Sequence, residues 1–217
     1  MTHHVAVIDY GMGNLHSVAS ALEHVGATRV TVSHKPEAIA AADRVVFPGV
    51  GGIRDCMDAI RRLGCDAVLD DVLHRAGKPV LAICVGMQAL MTRSEENEGV
   101  ACLDVVPGEV RYFGDAHRDE RGDRLKVPHM GWNSVDPVID HPLWQGIEPG
   151  ERFYFVHSYH VVPTDHKVIA GTFDYGLTGC AALARDNLFA TQFHPEKSHR
   201  AGLTLLKNFL SWDGTCS

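Results

Sequence analysis

Segments rich in β-formers alternate with segments of helical periodicity through the first half of the chain, and this alternation restricts the possible fold more than any other feature. HVAVIDY reads as a strand, residues 14–26 as a helix, RVTVS and DRVVFPG as strands, residues 52–63 and 66–76 as helices, and PVLAI as a further strand. Strands joined through helices pair in parallel, with the helices covering both faces of the sheet. The run Val80, Leu81, Ala82, Ile83 shows no alternation, as expected of a strand buried on both faces. In such sheets ligands collect beyond the carboxyl ends of the strands. Gly11 and Gly13, then Pro48 to Gly52, and then Cys84 all fall there. The second half carries VVPGEVRYF, HMGWNSV, RFYFVHSYHVV, HKVIAGTF and CAALARDNLFATQFH ahead of a closing helix near 199–211. It is expected to add mixed or antiparallel strands to the same sheet. The polar, Gly-interrupted stretch at 114–126 reads as a surface loop, and no internal repeat is visible.

With 217 residues and 45% hydrophobic content, the chain is expected to form a single domain, 1–217, that buries its core without disulfides. The N-terminus MTHHVAVIDYGMG shows no basic leader followed by an apolar segment, and no apolar run reaches the ~20 residues needed to cross a bilayer. A soluble, cytoplasmic protein is expected, with no membrane partner. The six cysteines are scattered without a C-x-x-C pair, which argues against a zinc site and against a secreted disulfide framework. A net charge of −7, with basic and acidic residues interspersed, provides no basic stripe for a phosphate backbone, so nucleic acid is not an expected partner.

Cys84 stands where the strand at 80–83 gives way to a segment, Met87 to Met91, suited to a helix. There it faces unpaired N–H groups and the positive end of the helix dipole, which favours thiolate. This is the arrangement of a nucleophile elbow with cysteine in place of serine. Gly86 permits the close backbone approach that an elbow needs. Ala82 occupies the position where the partner glycine usually stands, and its methyl group is expected to strain the turn. The competing reading is that Cys84 is inert core filler, since free cysteine is among the most buried residue types.

A cysteine nucleophile needs a base, and a base works best when a third group fixes its ring. The chain has 14 histidines, so the presence of one proves little. In LFATQFHPEKS, however, His194 sits at a strand end with Glu196 two residues later. A carboxylate that close can accept the Nδ1–H of His194 and leave Nε2 facing the thiol. The competing reading is a surface turn with a solvated acid. FPGVGGI at 47–53 follows the third strand, and its glycines allow main-chain N–H groups to turn toward an anion beside the Val85 N–H. Taken alone, it reads equally as a Gly-rich turn.

In chain order, IDYGMGN, PGVG at 48–51, CVGMQ at 84–88, SEEN at 94–97, VPHMGWN at 127–133, YFVHSY at 154–159 and FHPEKS at 193–198 resemble the motifs of the class I, triad-type glutamine amidotransferases. The resemblance runs nearly the full length. DYGMGN and HMGWN resemble more specifically the branch of glutaminase subunits that serves imidazole glycerol phosphate synthesis. It implies an open, mostly parallel twisted sheet with helices on both faces and added mixed or antiparallel strands. It further implies that Cys84 attacks the carboxamide of glutamine, that His194 carries the thiol proton to the leaving ammonia, and that Glu196 orients His194. The backbone around Val50 and Gly51, with Val85 N–H, would hold the oxyanion. Gln88, Glu96, Ser158 and Tyr159 match positions that hold the amino-acid part of the substrate, although Glu96 reads equally as a solvated loop acid. No cofactor and no metal are implied. The implied partner is a (β/α)8-barrel cyclase subunit, forming a heterodimer. The surface beside DYGMGN, HMGWN and FHPEKS makes Asn14, Trp132, Tyr154 and Lys197 the candidates for partner contact, with ordinary packing the alternative for Trp132 and Tyr154.

Among other readings, a nucleotide-binding module is rejected at this level, while a stand-alone hydrolase and a subunit of another synthase stay open. GMGNLH after the first strand lacks the third glycine of a dinucleotide fingerprint, and no acid closes the second strand, which disfavours a nucleotide-binding module. A stand-alone cysteine hydrolase would use the same elbow and His-x-Glu. An amidotransferase subunit feeding a different synthase would carry the same triad.

Overall fold

The computed structural model describes residues 3–114, 118 and 122–215, so part of the polar stretch expected as a surface loop, at 115–117 and 119–121, lies outside the described residues. The first half follows the expected alternation. Strand β1 (His4–Ile8) leads through helix α1 (Leu15–His24) to β2 (Arg29–Ser33), and α2 (Pro36–Ala40) leads to β3 (Arg44–Gly49). Then α3 (Ile53–Arg62) and α4 (Cys65–Asp70) precede β4 (Val80–Cys84), which passes directly into α5 (Val85–Ala89). The second half adds β5 (Arg93–Ser94), β6 (Val100–Ala101), β7 (Gly108–Tyr112), β8 (His129–Pro137), β9 (Glu151–His157), β10 (Tyr159–Pro163), β11 (Ile169–Asp174), β12 (Thr178–Arg185), β13 (Leu188–Thr191) and α6 (His199–Ser211).

The main sheet has the order β2-β1-β3-β4-β13-β12-β11-β8-β9. Strands β2, β1, β3, β4 and β13 are mutually parallel, and β12, β11, β8 and β9 continue antiparallel. The central strands are buried throughout: Val5 to Ile8 and Val80 to Ala82 have no exposed surface. Helix α3 turns Ile53, Cys56, Met57 and Ile60 inward, the i, i+3, i+4, i+7 stripe of a helix packed on a sheet. Helix α6 does the same with Gly202, Leu205, Leu206 and Phe209.

One expectation is corrected. The strands of the second half do not all join the main sheet, and the segment RFYFVHSYHVV shows why. It divides at Ser158 into β9, which pairs with β8, and β10, which pairs with β7. Strands β10, β7, β5 and β6 form a second sheet of four strands. The division arises because Gly108–Tyr112 offers β10 a full antiparallel ladder, from Tyr159↔Tyr112 to Pro163↔Gly108. The segment expected as a helix at 66–76 is α4 continued by a π-helical turn at Asp71–Arg75.

Candidate active site

Strand β4 delivers Cys84 to its carboxyl end, beside the carboxyl ends of β3 and β13. Cys84 has φ 54° and ψ −111°, a conformation that costs an L-residue on the order of 1–3 kcal/mol and that persists only where the surroundings enforce it. Close packing beneath the turn supplies that enforcement. A Cβ on Gly86 would collide with the Phe47 carbonyl, and one on Gly49 would lie 2.7 Å from the Gly86 nitrogen. The elbow therefore rests on two glycines, Gly49 and Gly86. Ala82 does not strain it: the residue is a regular rung of the sheet between Phe47 and Ala190, and the left-handed backbone begins two residues later.

The neighbouring turn after β3 is pinned from below. The Tyr10 hydroxyl donates to the Pro48 carbonyl at 2.8 Å, and the Cys56 thiol donates to the Val50 carbonyl at 3.5 Å. Gly51 has φ +99°, a region that favours glycine. Burial pushes the Cys56 thiol up to about 11, so it stays a donor at neutral pH.

His194 follows β13 on a short turn, Pro195–Lys197, whose backbone is fixed on several sides. His194 N–H donates to the Tyr154 carbonyl at 2.9 Å, and the Ser198 hydroxyl donates to the His194 carbonyl at 2.6 Å while accepting from Tyr154 N–H at 3.0 Å. The imidazole Nδ1 lies 2.8 Å from Glu196 Oε1, with both side chains almost fully buried. Burial alone lowers the imidazole pKa. The Cys84 sulfur and the Glu196 carboxylate, the latter bonded to Nδ1, outweigh that effect and push the ring up to about 10.

These groups face a cavity of ≈ 320 Å³ lined by Val50, Gly51, Cys84, Val85, Gln88, Glu96, Ser158, Tyr159 and His194, together with Pro128, Val156 and His157. Every residue assigned from the sequence to the oxyanion or to the substrate thus lines one cavity with Cys84. Glu96 also accepts from Ile53 N–H at 3.3 Å, at the start of α3, and burial raises its carboxyl pKa. Gln88 is buried and committed to protein partners, donating to the Tyr159 carbonyl at 3.1 Å and to Gln192 Oε1 at 3.2 Å.

None of the residues assigned to partner contact is among those lining this cavity. Trp132 is 37% exposed, stacks on His199 at 4.9 Å and 8°, and sits across from Tyr154. The Lys197 ammonium lies 5.8 Å from the Tyr154 ring centre. Asn14 is half-buried, and its side chain caps α1, which packs on the Pro195–Lys197 turn. Gln192, His157 and His129 were not singled out from the sequence. Gln192 is fully buried and donates to Cys84 Sγ at 3.8 Å.

The family model for class-I glutamine amidotransferases matches residues 6–212. The chain is 60% identical over 215 residues to imidazole glycerol phosphate synthase subunit HisH 1 of Pseudomonas aeruginosa, with 99% of each chain covered. It is 57% identical over 212 residues to imidazole glycerol phosphate synthase subunit HisH of Acinetobacter baylyi, with 96% of this chain and 98% of that one covered. Among solved structures it is similar to PurLQS from Thermotoga maritima, with a TM-score of 0.71 at 16% identity over 97% of this chain and 99% of that one. A crystal structure described as a glutamine amidotransferase gives a TM-score of 0.65 at 16% identity, over 93% and 98% of the two chains. At such identities the structural likeness speaks for the fold.

Proposed function

The chain belongs to the class-I glutamine amidotransferase family, and we propose that Cys84, His194 and Glu196 are the triad with which it hydrolyses glutamine. Its function is that of a glutaminase subunit of imidazole glycerol phosphate synthase in histidine biosynthesis. The observation that carries the triad is the 2.8 Å contact between His194 Nδ1 and Glu196 Oε1 beside a buried, backbone-strained cysteine.

In the proposed reaction Cys84 Sγ forms a bond to the carboxamide carbon of glutamine. Val85 N–H and the backbone at Val50 and Gly51 face the oxygen that becomes negative. With its pKa pushed up to about 10, His194 holds a proton at neutral pH and delivers it to the departing nitrogen as the C–N bond breaks. Ammonia leaves. Water, losing a proton to the now neutral His194, then adds to the γ-glutamyl thioester; the C–S bond breaks, glutamate leaves, and the starting pair of deprotonated Cys84 sulfur and protonated His194 is restored. Glu196 accepts Nδ1–H throughout, which keeps Nε2 aimed at the reacting atoms. Glu96, Ser158 and Tyr159 suit the amino-acid end of the substrate, because its ammonium needs a carboxylate and its carboxylate needs N–H or O–H donors.

The subunit works with a cyclase partner, for which we propose a (β/α)8 barrel in a cytoplasmic heterodimer, seated on the face that carries Asn14, Trp132, Tyr154 and Lys197. The test is glutamine hydrolysis by the chain alone and with the cyclase. Turnover that rises on adding the barrel supports the reading, and equal turnover in both separates this chain from a partner-dependent amidotransferase.

A further inference from the structure

Two buried histidines connect the exposed strand β8 to the cavity through hydrogen bonds whose directions are fully determined. His157 Nδ1 lies 2.8 Å from the Tyr159 carbonyl, so Nδ1 must carry the proton. Nε2 of the neutral ring is then an acceptor, and it lies 2.9 Å from His129 Nδ1, which must therefore be N–H. That leaves His129 Nε2 as an acceptor for the Asn133 amide at 3.2 Å. The Asn133 amide is itself oriented, because its nitrogen donates to the Asp174 carbonyl at 2.7 Å and its oxygen accepts from Ser134 N–H at 2.8 Å.

Both rings sit in an aromatic box. His129 is stacked between Phe155 at 4.7 Å and Tyr175 at 4.0 Å, and His157 lies against Phe113 at 5.1 Å and edge-on to Phe173 at 5.7 Å. Such surroundings disfavour imidazolium: burial lowers His129 to about 4 and His157 to about 3. Past Tyr159 the chain of bonds continues. The same carbonyl accepts from Gln88, Gln88 also donates to Gln192, and Gln192 donates to Cys84 Sγ.

We propose that His129 and His157 are positioning residues: a neutral, tautomer-locked pair that fixes the Tyr159 carbonyl and, through Gln88 and Gln192, the place of the Cys84 sulfur. The pair makes the nucleophile's position depend on β8, whose opposite face presents Met130 and Trp132 to solvent. A shift of about 1 Å at the reacting atom is worth about 10²-fold in rate, so a polar chain of this kind acts on turnover even though neither histidine forms or breaks a bond.

This proposal rests on the glutaminase reading, and its test separates the two. In the ¹⁵N-labelled chain bound to its cyclase, histidine ring NMR at pH 7 should report both His129 and His157 as neutral Nδ1–H tautomers, the less common form in free histidine. Either ring found as Nε2–H or as imidazolium overturns the relay, whatever the turnover. The kinetic arm compares two amides in the same box. His157→Asn places an amide nitrogen near Nδ1 and keeps the bond to Tyr159, whereas His157→Gln places its amide near Nε2 and loses that bond. We expect His157→Gln to lower kcat for glutamine by about 10- to 100-fold with KM changed much less, and His157→Asn to recover most of that loss. Equal losses in the two variants, or a loss confined to KM, overturn the positioning role. A wild-type complex that does not hydrolyse glutamine would sink the glutaminase reading and leave the tautomers still to be read.

Discussion

Nδ1 of His194 and Oε1 of Glu196 lie 2.8 Å apart, and neither side chain is more than 2% exposed. A carboxylate so placed fixes which ring nitrogen is free, and it does so out of competition with water. Replacing it by an amide of the same shape, Glu196→Gln, should lower glutamine-dependent turnover by about 10²- to 10⁴-fold, because an amide nitrogen facing Nδ1 favours the wrong tautomer. Steady-state kinetics on the complex check this, and a loss below threefold contradicts the orienting role.

The same pair makes a prediction about pH. The folded-state pKa of His194 is raised to about 10 from an ordinary 6.5. A raised pKa contributes stability that is fully present below about pH 6.5 and declines as pH climbs through about 10. Urea unfolding of wild type and Glu196→Gln at pH 6.5, 8 and 10 should therefore show a stability difference that shrinks with pH. A difference that grows toward pH 10 contradicts the assignment.

The elbow depends on Gly86 rather than on Ala82. Gly86→Ala would place a methyl group against the Phe47 carbonyl and should cost about 1–3 kcal/mol in thermal or urea unfolding, together with most of the activity. Ala82→Gly should give no gain in kcat and should lose about 0.5–1 kcal/mol, because Ala82 is an ordinary strand residue. Faster turnover in Ala82→Gly would show that the methyl group strains the site after all.

The strands, the elbow and His-x-Glu were legible because each leaves a local mark: an apolar run, a cysteine at the end of one, and a proline-restricted turn after a β-rich segment. Two features were not. The departure of β10 into a second sheet at Ser158 depends on pairing with β7, more than forty residues earlier, and the β-rich pattern on either side of Ser158 continues without a break. Nothing in ATQFH marks Gln192, which is fully buried with Gln88, over a hundred residues away in sequence, as its partner. His157 and His129 are equally silent in a chain with 14 histidines, since only their mutual geometry distinguishes them.

Trp132 and Lys197 give the prediction for the partner face. An exposed aromatic stacked on His199, beside a lysine over Tyr154, has the character of an interface anchor. Trp132→Ala should weaken cyclase binding by about 2 kcal/mol in titration calorimetry while leaving the thermal stability of the isolated chain within about 1 kcal/mol. Unchanged affinity would remove Trp132 from the interface.

The central claim is that Cys84 is the nucleophile that releases ammonia for a second active site. Its most direct test is synthesis by the Cys84→Ala chain in complex with the cyclase, driven either by glutamine or by added ammonium. Glutamine-driven synthesis should fall to background while ammonium-driven synthesis stays within about twofold of wild type, because the substitution removes the sulfur and leaves the partner's chemistry untouched. Glutamine hydrolysis that survives in Cys84→Ala contradicts the account.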